Sequence, residues 1–288
     1  MSNTAPILKE YGEVLDTKQA FFAVLKKKSK NIFLAVFIST AWSVCFFIFL
    51  PKEITLSDLG FYILITPWVL FGVYLAMLYS KVREAFWMQL ALKYKWDYIA
   101  TKNTLDEKAL LFKIGHSPKS HHGISGTYNG QPFHIFEYQY TVGYGKHKTT
   151  YSFTVFEIKF SGTFPHLYLN YKGDWHANPP SMFSSLANIS VPPQFADKFK
   201  LYSPKEYEIE TLEIFTPEIF AELLDSKWDH DMEWVEGELV IYTRKKFNNF
   251  ASLDAEVARI KKFIDVLSPR LNKSKLSSIG DLPFLLKR

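Results

Sequence analysis

Hydrophobic positions follow three different rules along this chain. Over Ile7–Leu25, Leu8, Tyr11, Leu15, Phe22 and Leu25 recur at three-, four- or seven-residue steps, and the run ends in Lys26-Lys27-Lys28. That spacing predicts an amphipathic N-terminal helix within residues 1–30. Periodicity then gives way to unbroken apolarity: Ile32–Leu50 and Leu59–Ser80 contain no Asp, Glu, Lys, Arg or His. A bilayer core needs about 20 apolar helical residues, so the two runs predict a transmembrane hairpin over residues 31–80. Pro67 lies inside the second run, which a bilayer-embedded helix tolerates. Val82, Phe86, Leu90 and Tyr94 keep a four-residue step, which predicts a connecting helix over residues 81–99.

From residue 100 the period changes to two. His122–Thr127 and Pro132–Val142 read as strands joined at Asn129-Gly130, a strong hairpin signal because both residues tolerate positive φ. Thr149–Phe160 is a third strand. Its alternation slips at Val155-Phe156, which predicts a bulge or burial on both faces. His166–Tyr171 is a fourth. Lys172–Pro193 carries Gly173 and four prolines without a period and reads as a long surface connection. Phe195–Leu201 and Tyr207–Leu212 read as short strands. Thr216-Pro217 opens a helix to about Ser226, and Asp231–Val235 with Glu238–Arg244 make a hairpin around Glu236-Gly237. Ser252 is the expected cap of a last helix, with Leu253, Val257, Ile260, Ile264 and Leu267 as its apolar seam and Ser268-Pro269 as its stop. The fold class is therefore α+β: a two-helix hairpin, then a soluble domain over residues 100–270 with a curved antiparallel sheet and a C-terminal packing helix, then a tail over 271–288. The order of elements is similar to that of pleckstrin-homology-like barrels.

Charge orients this arrangement. Lys26, Lys27 and Lys28 precede the first span and Lys81 and Arg83 follow the second, whereas the connecting loop carries only Lys52. The positive-inside rule puts both termini in the cytoplasm, with these five residues as membrane-boundary anchors. The one cysteine, Cys45, falls inside the first span, so the soluble domain has no disulfide, as in a reducing compartment. The expected location is a membrane that faces the cytoplasm, with the bilayer as the first partner. A net charge of +5 without a basic, aromatic-interleaved stripe gives no reason to expect nucleic acid.

The stretch Ile124-Ser125-Gly126-Thr127-Tyr128-Asn129-Gly130, then Pro132-Phe133 and Tyr140-Thr141-Val142-Gly143, then Thr150-Tyr151-Ser152-Phe153-Thr154-Val155-Phe156, resembles a family of uncharacterised bacterial membrane proteins. The resemblance implies a two-span hairpin before a cytoplasmic β-rich domain, held in the bacterial cytoplasmic membrane. It implies no activity or catalytic residue.

Candidate chemistry is sparse. His116, His121 and His122 lie within seven residues, and His134 is across the Asn-Gly hairpin. Imidazoles that converge can bind a transition metal, although this spacing matches no zinc motif. Asp229-His230-Asp231 reads as a solvated strand end, because strand neighbours point to opposite faces. Gly143-Tyr144-Gly145-Lys146 lacks the spacing of a phosphate loop, no serine sits in a nucleophile elbow, and no cofactor is expected. Tyr144 and Lys146 in the turn, and Trp175 and His176 in the long connection, are the candidate contacts for a protein partner. The expectation is a non-catalytic, membrane-anchored interaction or scaffolding protein, with self-association of the hairpins as a further option. The alternative is a membrane-proximal enzyme, metal-dependent through His116, His121, His122 and His134.

Overall fold

A computed structural model describes residues 14–52, 58–104, 107–160, 165–173 and 186–273. These residues form two compact units. One comprises the chain up to Leu90 with Asn248–Phe250, the other Ala91–Phe247 with the chain from Ala251 onward.

In the first unit, α1 (Thr17–Lys27) is capped by Asp16, whose carboxylate accepts from the backbone N–H groups of Lys18 and Gln19 at 2.8 and 3.0 Å. Leu8 and Tyr11 of the expected stripe lie outside the described residues. α2 (Ser29–Phe49) and α3 (Asp58–Tyr94) are both long and apolar enough to span a membrane. A core helix of a soluble protein would bury its apolar positions, but here only 11% and 6% of the most apolar windows are buried. The two helices are tied by Trp42 Nε1 donating to Ile63 O at 3.1 Å and Trp68 Nε1 donating to Ser43 Oγ at 3.2 Å. α3 runs through Pro67 as one helix. Its character changes near Leu78: Val82, Phe86, Trp87 and Leu90 are fully buried, and Phe86 packs edge-on against Phe250 at 6.1 Å.

The second unit is a nine-stranded antiparallel sheet in the order β1-β2-β3-β4-β9-β8-β5-β7-β6. Its strands are β1 (Asp97–Ile99), β2 (His116–Tyr128), β3 (Gln131–Val142), β4 (Thr149–Lys159), β5 (Leu167–Tyr171), β6 (Ala187–Ile189), β7 (Phe199–Ser203), β8 (Asp231–Val235) and β9 (Glu238–Thr243). Among the described residues β1 and β6 are the edge strands, so the sheet is open and the barrel suggested by element order does not form. Two hairpins close as their sequences require: Asn129 and Gly130 have φ of +50° and +78°, Glu236 and Gly237 +48° and +83°.

Both faces are covered, which explains the slipped alternation in β4. Its residues Phe153–Ile158 are all buried, and pairing with β3 continues through Val155 and Phe156 without a bulge. One face carries Phe136, Tyr138, Tyr140, Phe153, Val155 and Val240, overlaid by Ala109, Leu111 and Phe112. The other carries Phe133, Ile135, Phe156, Ile158, Leu239 and Ile241, each fully buried. This second face holds the C-terminal helix α7 (Phe250–Lys273). Trp96 packs edge-on against Phe133 at 5.3 Å and lies under Lys261 Nζ of α7 at 5.4 Å. The expected seam of α7 is fully or almost fully buried from Leu253 to Leu267. Each such side chain contributes about 1.5–3 kcal/mol.

Several expectations fail for local reasons. The strand expected from His122 starts six residues earlier: β2 begins at His116 and accommodates irregularities at Ser117 and His122, both at positive φ. Phe195 belongs to a one-turn helix, α4 (Pro193–Ala196), and only Phe199–Ser203 is strand. Residues 208–214 form helix α5 (Glu208–Ile214), because Thr211 and Ile214, three apart, are the buried pair, while Ile209 faces solvent. Helix α6 (Pro217–Asp225) starts where expected, though the Thr216 hydroxyl makes no capping bond. α7 begins at Phe250, ahead of Ser252, and continues past Pro269 with Leu271 buried.

Candidate functional site

Charged side chains meet on the face overlaid by residues 102–104 and 107–112. His134 of β3 pairs with Glu157 of β4, Glu157 with Val240 of β9, and Val240 with Glu233 of β8. They form one rung across four strands, so their side chains share a face. Two residues along β4, Lys159 pairs with Glu238. Oxygens of Glu107, Glu157 and Glu238 lie within 4.8 Å of one another. Glu157 has no exposed side-chain surface; its carboxylate accepts from Lys102 Nζ, which also contacts Glu107 at 2.8 Å. Lys159 Nζ binds Glu238 at 2.6 Å and lies 3.8 Å from Glu157.

Three carboxylates against two ammonium groups divide the titration. Burial pushes Glu157 up, opposed by Lys102. Burial likewise pushes Glu238 up against its contact with Lys159. Burial also acts on Glu107, but the hydrogen bond and charge of Lys102 outweigh it and hold this carboxyl below its usual range. His134 is pushed down to about 4, by burial first and then by Lys102 and Lys159, so its ring is neutral at pH 7. The oxygen spacing suits a hard cation, but Lys102 already supplies the central positive charge. Chemically, the cluster is an internal clamp. Glu233 repeats the device: fully buried, it accepts from the Leu110 N–H at 2.7 Å and meets His166 Nε2 at 2.7 Å. Together these carboxylates fasten Lys102 and Leu110 over the sheet.

A second network involves the group expected at a solvated strand end. His230 and Asp231 are instead 1% and 4% exposed. His230 Nε2 lies 2.9 Å from Glu256 and 2.8 Å from Arg259 of α7. Arg259 also binds Asp229 at 2.8 Å and donates to Lys227 O at 3.0 Å. Asp229 stays ionised to unusually low pH: burial raises it, but Lys245 and Arg259 prevail. Asp231 accepts from the Tyr171 N–H at 2.7 Å.

The four candidate histidines are not brought together. His116 opposes Thr141, His121 opposes Glu137, and His134 opposes Ser125. Seven residues of β3 separate the first and last of these positions, about 23 Å of strand. His116 Nε2 meets Gly143 O at 2.8 Å, and its ring stacks on Tyr144 at 4.6 Å. His122 Nδ1 meets Tyr98 Oη at 3.0 Å. Among the described residues no three of His, Cys, Asp or Glu other than Glu107, Glu157 and Glu238 gather at metal-ligand spacing. Tyr144 is 79% exposed, and Lys146 is exposed beside it. Trp175 and His176 lie outside the described residues. Of the expected boundary cations, Lys26, Lys27 and Lys81 are exposed and Lys28 is half-buried. Arg83 is 2% exposed, with its guanidinium 5.0 Å from the Phe86 ring centre.

Sequence reading missed the Glu107–Glu157–Glu238 cluster. The available signal was Glu157 itself, a carboxylate inside the doubly buried strand Val155-Phe156-Glu157-Ile158, which requires a buried partner.

No known protein family matches the sequence, and no curated protein matches it. The resemblance to bacterial membrane proteins thus rests on residues 124–156 alone. Among solved structures, the crystal structure of the mycobacterial trehalose monomycolate transport factor A, TtfA, is similar with a TM-score of 0.45 and 13% identity, covering 64% of this chain and 94% of that one.

Proposed function

We propose that this chain is a membrane-anchored, non-catalytic interaction or scaffolding protein. On this reading α2 and α3 insert as a hairpin, both termini are cytoplasmic, and the α+β unit is displayed on that side. The observation that carries the reading is the outward apolarity of the two helices. Phe33, Phe37, Phe47, Phe49, Phe61 and Leu70 are each more than half exposed, with no ionisable group of the Asp, Glu, Lys, Arg or His kind in either run to line a conduit. In the α+β unit the buried charges pair with one another rather than facing a cleft, which favours a structural role for them. The enzyme alternative needs His116, His121, His122 and His134 to converge, and their strand positions oppose that. The turn carrying Tyr144 and Lys146 is the favoured contact surface.

Alkaline carbonate extraction should leave the chain in the membrane pellet. Protease added to sealed cells should spare residues 81–288. Release by carbonate would sink the anchor; digestion from outside would sink the orientation.

A further inference from the structure

One end of the sheet is positively charged and carries an exposed aromatic. The β3–β4 turn presents Lys146 and Lys148 beside Tyr144. Register brings Lys119 to the same end, opposite Gln139. Arg244 joins at the end of β9, with its guanidinium 4.9 Å from the Tyr151 ring, and Tyr151 pairs with Tyr140. Residues 109–156 contain a single carboxylate, Glu137, which pairs with His121 and Thr154, away from the turn. Lys119, Lys146, Lys148 and Arg244 are all exposed, and among the described residues none forms an ion pair. Uncompensated cations around an amphipathic aromatic fit a wide anionic surface with an apolar layer beneath it.

We infer that this end of the sheet docks on the anionic headgroups of the bilayer that anchors the chain. The inference rests on the anchored reading above and names one partner for its contact turn. Chain length supports that choice. Four peptide steps separate Arg244 from Asn248, so covalent geometry keeps them within about 14 Å whatever the arrangement of the two units. Asn248 O accepts from the Thr17 N–H at 2.7 Å, and Thr17 opens α1, which is 11 residues long and ends at Lys27. The membrane is therefore within reach, and tethering holds it at high effective concentration. An acidic protein segment would match the charge but has no such tether.

The test uses the full chain in lipid nanodiscs, with Cys45→Ser and Thr149→Cys carrying a polarity-sensitive fluorophore next to the turn. In discs of phosphatidylcholine with phosphatidylglycerol at seven to three, the probe should shift to the blue and be quenched by brominated lipid. In pure phosphatidylcholine, or at high salt, it should not. Lys146→Gln with Lys148→Gln should lower the docked-to-free ratio about 25-fold, at about fivefold per cation, with the melting temperature confirming that the variant is folded. Equal signals in neutral and anionic discs, or no effect of the double variant, overturn the inference. So does a probe that responds to soluble polyglutamate and not to anionic discs, which would assign the surface to an acidic protein. Labelling of the unmodified Thr149→Cys variant by an impermeant maleimide from outside sealed cells would overturn the orientation instead, separately from the lipid result.

Discussion

Removing Lys102 isolates the clamp it forms with Glu107 and Glu157. In Lys102→Met, Glu157 keeps its place with no exposed surface and loses the ammonium that its carboxylate accepts from. Breaking one side of a buried pair costs about 3–5 kcal/mol. For a unit of this size, about 2–4 °C accompany each kcal/mol, so the near-ultraviolet melt should fall by about 6–20 °C at pH 8. The pH dependence is the sharper readout. Burial already lifts the Glu157 carboxyl above 4.5, and Lys102 opposes that. Without the lysine the folded carboxyl rises further and holds its proton where the unfolded chain has released it. Stability therefore falls as pH rises from about 4.5 to the new folded value, and the deficit is small in acid and full in base. Adding Glu157→Leu removes the stranded group and should restore stability to within about 1–2 kcal/mol of the parent, since apolar replacement of a buried pair is nearly neutral. A deficit equal at pH 5 and pH 8, or one below about 1 kcal/mol, would refute the clamp.

His134 should act in the opposite sense. Its pKa falls from 6.5 unfolded to about 4 folded, so it adds stability that is full above pH 6.5 and is lost as pH falls toward 4. Water reaching a half-buried ring limits this to about 1–2 kcal/mol, and His134→Gln melts should lack that component; a parallel pH profile for parent and variant would contradict it. Gly126→Ala should cost about 1–3 kcal/mol in urea unfolding, because an added Cβ overlaps the Trp96 ring; an unchanged midpoint would mean that Trp96 does not pack there. Arg259→Lys should lose more than half of what Arg259→Met loses, because one ammonium cannot serve Asp229, Glu256 and the Lys227 carbonyl together. Full rescue by lysine would show that charge alone matters.

How much of this was legible depends on whether a feature is local. The two apolar helices, the Asn129-Gly130 and Glu236-Gly237 hairpins and the seam of α7 are written in consecutive residues, and each is found where its pattern placed it. Residues 208–214 misled because Tyr207, Ile209 and Thr211 alternate like a strand, while burial follows Thr211 and Ile214. The clamp was hidden for a different reason: Lys102 and Glu157 are 55 residues apart, and only the register of β3, β4 and β9 brings their neighbours to one face. His230 looked solvated because Glu256 and Arg259, which enclose it, come from the last helix.

The short edge strand β1 bears on how the α+β unit could be excised. Asp97, Tyr98 and Ile99 pair with Ser125, Ile124 and Gly123, and the carbonyl of Ala100 accepts from the His122 N–H at 3.0 Å. A fragment begun at residue 100 would strip this cover and leave Gly123, Ile124 and Ser125 of β2 with unpaired backbone groups at the edge. Such an edge is a template for another copy of itself. It would also lose Trp96 from its seat on Phe133 and Gly126. A fragment begun at Ala91 retains both, so the nine residues from Ala91 to Ile99 decide whether the sheet ends in a three-residue edge strand or in the thirteen-residue β2.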